Sequence, residues 1–184
     1  MQELLKELEI VTQGELNDST RSQILDKTTE KLGAGIAGEF GVQANEVAIL
    51  IISNRQGILK FEYPKPLRNS GTIPLKGKVS AKDAIALRSV SSRRGEIINA
   101  VQQVKHLAVF EMVKTSSGTP MPIQKMLSVP ILAGQDPIGV VQVSRKGENP
   151  AKAGVDFSDT DLKKLEKISA AVAPYLARVI PTTY

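Results

Sequence analysis

Pro137-Ile138-Gly139-Val140-Val141-Gln142-Val143-Ser144-Arg145-Lys146, followed after a short loop by Phe157-Ser158-Asp159-Thr160-Asp161-Leu162, is the stretch whose reading decides the fold. Its first half is a β-branched run, which predicts a strand leading into a basic loop. Its second half opens a helix. Ser158 stands at the N-cap and Asp161 three residues on, a capping box with Asp in place of Glu. Leu162, Leu165, Ile168, Val172, Leu176 and Val179 then form one apolar stripe, interrupted by Pro174, which should bend the helix or leave one carbonyl unpaired. Just upstream, Lys125 to Leu132 predicts a partner strand, joined to Ile138–Ser144 across Gly134-Gln135-Asp136-Pro137.

Working outward, Val47 to Ile52 is a continuous apolar run and reads as a strand buried on both faces. The turn Asn54 to Gly57 leads to an alternating segment, Ile58 to Tyr63, with Leu59, Phe61 and Tyr63 expected on one face. Two helices precede these strands. The first carries Leu4, Leu5, Leu8 and Val11; the second, with Ser19 as its expected cap, carries Ile24, Leu25, Thr28, Leu32 and Ile36. The middle of the chain is less regular. Thr72 to Leu75 is a short extended piece, a helix begins at Ser80, Glu96 to Val101 is a strand, Val104 to Val113 is helix or loop, and Ser116 to Pro122 is loop. The sum is an α+β fold, a central antiparallel sheet with the terminal helices on one face and the middle segment crossing the other. Residues 1–18 read as an N-terminal helical extension and residues 19–184 as the domain.

Composition narrows the chemistry. The 184 residues contain no Cys, one His and no Trp. Disulfides, thiolate nucleophiles, Cys-ligated zinc, thioether-attached chromophores and His-rich metal sites are therefore excluded within them, and no metal or cofactor is expected. Aromatics at 4% argue against a base-stacking nucleic-acid reader. No apolar run reaches membrane-spanning length, and Met1 leads into Glu3 and Glu7 without a basic segment; a cytoplasmic protein is expected. The net charge of +5 is uneven: residues 1–53 hold 4 basic and 9 acidic side chains, whereas residues 54–114 hold 12 basic and 4 acidic. The basic block reads either as an attractor of anions or as a solvated surface.

The combination of Leu127-Ser128-Val129-Pro130-Ile131, the Ile138–Ser144 run and the capped Phe157-x-x-x-Asp161 helix resembles the closing strands and last helix of a GAF domain, over roughly residues 20–179. The resemblance implies a sensory or partner-binding module. It also implies a homodimer paired through the terminal helices. Some cyclic-nucleotide-binding members carry Asn-Lys where Ser144-Arg145 stands here, and Asp-Glu where Asp161-Leu162 stands. By that likeness Arg145, Phe157 and Asp161 are structural residues, with Arg145 and Asp161 tying the loop to the helix start. GAF-type reduction of free methionine sulfoxide needs cysteines that this sequence lacks.

Six residues are candidates for contact with a ligand: Arg88, Arg93, Asn99, His106, Glu111 and Gln142. Arg88 and Arg93 present guanidinium forks suited to phosphate or carboxylate, or else an exposed basic turn. Asn99 and Gln142 are polar residues inside apolar strands, where each needs a partner, whether protein or ligand. His106 and Glu111 are a possible proton-sensitive pair or ordinary structural residues. No nucleophile–base pattern accompanies His106. The functional expectation is a non-catalytic sensory domain binding a small anionic ligand and signalling through its terminal helices; the alternative is a ligand-free interaction or dimerisation domain.

Overall fold

The computed structural model describes residues 1–68, 72–75, 84–104 and 120–184. Ten elements follow in chain order: α1 (Gln2–Val11), α2 (Asp18–Phe40), β1 (Val47–Ser53), β2 (Ile58–Tyr63), β3 (Thr72–Pro74), α3 (Ile85–Ser92), β4 (Glu96–Ile98), β5 (Ile123–Ala133), β6 (Asp136–Lys146) and α4 (Asp159–Val179). The strands form one antiparallel sheet in the order β3-β2-β1-β6-β5-β4. The α+β class is as the sequence predicts.

Alternation along the strands divides the interior into two cores. Val47, Ile49 and Ile51 of β1, Leu127, Val129 and Ile131 of β5, and Val141 and Val143 of β6 face α1, α2 and α4. Ala48, Leu50 and Ile52, with Met126 and Val140, face the opposite way and meet α3 and the short segments around it. The first side is the terminal-helix face and the second the crossing face. β1 is buried along its whole length, as its unbroken apolar run requires. Leu4 and Leu8 of α1 join the same core as α2 and α4.

Several local expectations are corrected. Asn17, not Ser19, caps α2, its Oδ1 accepting from the Thr20 amide at 2.9 Å. Tyr63 does not share a face with Leu59 and Phe61: Ile49 pairs with Tyr63 but Leu50 with Phe61, so Glu62 is an extra residue that turns Tyr63 to the terminal-helix face. β4 ends at Ile98, and Val101 falls in a 3-10 turn. Ala84 is extended, so α3 opens at Ile85 rather than running through it from Ser80; residues 80–83 lie outside the described residues. The β5–β6 turn is only Gly134-Gln135, because Asp136 already pairs with Ala133. At Ser158 both arms of the predicted capping box form. The Ser158 amide holds the Asp161 carboxyl below its usual range. α4 continues through Pro174, which has no N–H to offer the Ala170 carbonyl.

The start of α2 is bound to the residues after α4. The Asp18 carboxylate accepts from the amides of Thr182 and Thr183 at 2.9 and 3.1 Å, and from their hydroxyls at 2.9 and 2.8 Å. These bonds, the Thr182 amide first, lower the Asp18 pKa to about 2. A carboxyl with a depressed folded-state pKa contributes stability that is present above its unfolded pKa near 3.8 and is lost as pH falls toward 2. Asp18→Asn should therefore flatten the acid limb of the stability curve in that window and leave neutral pH less affected. Urea unfolding from pH 5 down to pH 2 measures this, and an unchanged acid limb contradicts the role.

Candidate functional site

The crossing face carries a buried polar tract at the middle of the sheet. Gln142 of β6 sits between Ala48 of β1 and Ser128 of β5 in register. The small Ala48 side chain leaves room, and Gln142 is only 4% exposed. Its Nε2 donates to Ser128 Oγ at 3.1 Å. The Ser128 hydroxyl in turn lies 2.7 Å from Ser89 Oγ, brought down by the buried face of α3. Ser89 also approaches Glu96 Oε1 at 3.4 Å, and Glu96 forms an ion pair with Arg88. Gln142, Ser128, Ser89, Glu96 and Arg88 thus make one connected line from the sheet centre to its β4 edge. Buried bonds of this kind contribute about 1 kcal/mol each, whereas an orphaned partner costs about 1–3 kcal/mol. Gln142 Oε1 has no hydrogen-bond partner among the described residues. It is an acceptor available to a ligand N–H or O–H.

The six candidates fall into different places. Gln142 and Arg88 lie on this tract. Asn99 does not: its Nδ2 donates to the Phe157 carbonyl at 3.0 Å and its Oδ1 accepts from the Phe157 amide at 2.9 Å, so both ends of its amide fasten the loop before α4. Arg93 is exposed and lines a groove on the terminal-helix side of the sheet. His106 and Glu111 lie outside the described residues. Ser89 and Ser128 are the members that sequence reading missed. Their pairing joins residues 39 apart in the chain, and the only local signal was a serine within each apolar segment.

The loop before α4 is fastened from below. Arg145 lies over the Phe157 ring, 4.8 Å from its centroid, and contributes to lowering the Asp161 pKa after the Ser158 bonds. Lys125, the partner of Arg145 across β5 and β6, forms an ion pair with Asp156 at 2.7 Å and donates to the Gly154 carbonyl.

Three of the seven described basic side chains of residues 54–114 form ion pairs within the molecule, and a fourth, Lys60, lies over the Tyr184 ring. Lys65 pairs with Glu30 at 2.7 Å, Arg68 with Asp26 and Glu62 at 2.6 and 3.0 Å, and Arg88 with Glu96. The acidic N-terminal third and the basic middle thus meet across α2 and β2. Arg93 and Arg94 have no ion-pair partner among the described residues. No cluster of three or more His, Cys, Asp or Glu suited to a metal occurs among the described residues, and no helix there is long and apolar enough to cross a membrane.

No protein-family model matches the sequence, and no curated protein matches it. Solved structures do match its fold. The GAF domain of an Acinetobacter phosphoenolpyruvate-protein phosphotransferase is similar with a TM-score of 0.60 at 12% identity, over 95% of this chain and 91% of that one. The GAF domain of the Coxiella burnetii phosphoenolpyruvate-protein phosphotransferase gives 0.61 at 7% identity, over the same shares. A free methionine-R-sulfoxide reductase from Neisseria meningitidis, solved with its substrate, gives 0.60 at 15% identity, over 97% of this chain and 89% of that one. At these identities the likeness is one of fold, and the fold is that of GAF domains.

Proposed function

We propose that the chain is a non-catalytic, cytoplasmic sensory or regulatory domain that holds a small anionic ligand on the crossing face and passes its occupancy to the terminal helices. The observation that carries this reading is the buried Gln142–Ser128–Ser89 tract, with one amide oxygen still open on a strand otherwise flanked by apolar residues. The positive charge of residues 54–114 favours an anion, and the open amide oxygen calls for a ligand that also carries an N–H or O–H donor. The reductase chemistry named for the Neisseria structure is not carried over, since these 184 residues contain no cysteine to supply a thiol. Signalling follows as population shift: a ligand that binds one arrangement of α3 better than another shifts the balance between them.

Native mass spectrometry of the purified protein tests the proposal, with extraction and mass measurement of any retained compound. A bound mass is expected in the wild type and should be lost in Gln142→Leu, which is isosteric enough to keep the strand packed. Bare protein in both spectra, with no compound extracted, defeats the reading.

A second reading, a ligand-free dimerisation domain, is favoured by Ile10 and Val11, which stand 69% and 43% exposed at the end of α1. Sedimentation of Ile10→Lys beside the wild type separates the two: a dimer lost on substitution, with no retained compound in the wild type, supports it.

A further inference from the structure

We propose a second binding site, for a small organic anion with an apolar body, in the groove between α4 and the outer edge of β5. The groove lies across the sheet from the Gln142 tract and shares no lining residue with it. Its volume of about 590 Å³ is within the usual range for small-molecule sites. Val129, Pro130 and Leu132 give it an apolar wall, and Ser169 and Ala170 of α4 form the facing side. Arg93 and Arg94 supply positive charge from the turn after α3, opposed by Glu166 alone.

Three observations point to an anion. Arg93 and Arg94 stand side by side on the groove and form no ion pair among the described residues, whereas Lys65, Arg68 and Arg88 of the same block are each paired with a carboxylate. Arg93 also adopts φ 56°, the left-handed conformation that helix ends normally give to glycine. An arginine held there sacrifices backbone stability, and its side chain lines the groove. The sheet edge, finally, is closed to a strand-forming peptide. β4 pairs with β5 only from Met126 to Ser128, and beyond it Pro130 has no N–H and its carbonyl accepts from Ser169 Oγ at 2.9 Å. What remains is a lined cavity with a cationic rim, suited to a carboxylate or phosphate ester carrying an aliphatic or aromatic body.

Calorimetric titration of the full chain with octanoate and octyl phosphate tests this, with octylamine and octanol as controls. Saturable binding of one or both anions is expected, and which of them binds more tightly distinguishes a carboxylate from a phosphate site. The two controls should bind more weakly. Arg93→Gly should weaken anion binding about tenfold while leaving thermal stability equal or higher, because glycine suits the backbone. Arg94→Ala should weaken binding similarly, Glu166→Gln should tighten it, and Ala170→Trp should block it. Gln142→Leu should leave it unchanged, which separates this site from the crossing face. Absence of saturable anion binding overturns the proposal. So does Arg93→Gly that loses stability but not affinity, and so does octylamine binding as well as octanoate.

Discussion

Gly139→Ala is expected to destabilise the fold by about 3 kcal/mol or more, an effect at the upper end for a single methyl group. Gly139 lies in β6, opposite Ile51 of β1 and Ile131 of β5. A Cβ there would sit 2.4 Å from the Leu50 carbonyl oxygen, 3.1 Å from Ile51 Cδ1 and 3.3 Å from Ile131 Cδ1. The two side chains can rotate away. The carbonyl cannot, because Leu50 is in a central strand, paired with Phe61 of β2 on one side and Val140 of β6 on the other. Relief therefore requires β1 and β6 to part at the middle of the sheet. Urea unfolding should show the midpoint falling sharply with the slope retained, and thermal unfolding a drop of roughly 6–12 °C for a domain of this size. An unchanged midpoint would mean that the two strands separate freely, contrary to the burial of all of β1 and of Gly139 to Ser144 in β6.

Gly33→Ala opposes two effects whose sizes decide the outcome. In the interior of a helix such as α2, alanine is favoured over glycine by about 1 kcal/mol. Against this, the new Cβ would lie 2.5–2.6 Å from three carbons of the Tyr63 ring. The ring is buried in the core between α2 and the sheet, and burial raises its phenol pKa. Overpacking of this kind costs about 1–3 kcal/mol, so a net loss of up to about 2 kcal/mol is expected. The double variant Gly33→Ala/Tyr63→Leu should recover part of it, since leucine removes the ring atoms in the way. Strict additivity of the two changes in urea unfolding would deny that the residues touch.

The same two glycines show what the sequence made legible. Periodicity and the capping box locate the β5–β6 hairpin and α4, because those signals are local: alternating burial, a serine and an aspartate three residues apart. The sequence of Gly33 reads only as a weakness in a helix. Its use depends on Tyr63, and Tyr63 reaches that face only through the bulge at Glu62, which alternation alone assigns to the wrong side. The candidate site divides in the same way. Gln142 stands out as a polar residue in an apolar run, but Ser128 and Ser89 become its neighbours through a pairing across the sheet and a helix laid over it. Asn99 carries the same local signal as Gln142 and has a different task, holding the Phe157 backbone. Arg88 and Arg93 lie close together in the chain yet serve opposite faces, since the turn at the end of α3 redirects the backbone between them.

Ser128 and Pro130 are two residues apart on β5, and each is fixed to a different helix, one through its hydroxyl to α3 and the other through its carbonyl to α4. A strand pinned in this way has little freedom to slip along its own axis. β5 is thereby clamped between two layers, and neither helix can be lifted from the sheet without breaking a buried hydrogen bond to it.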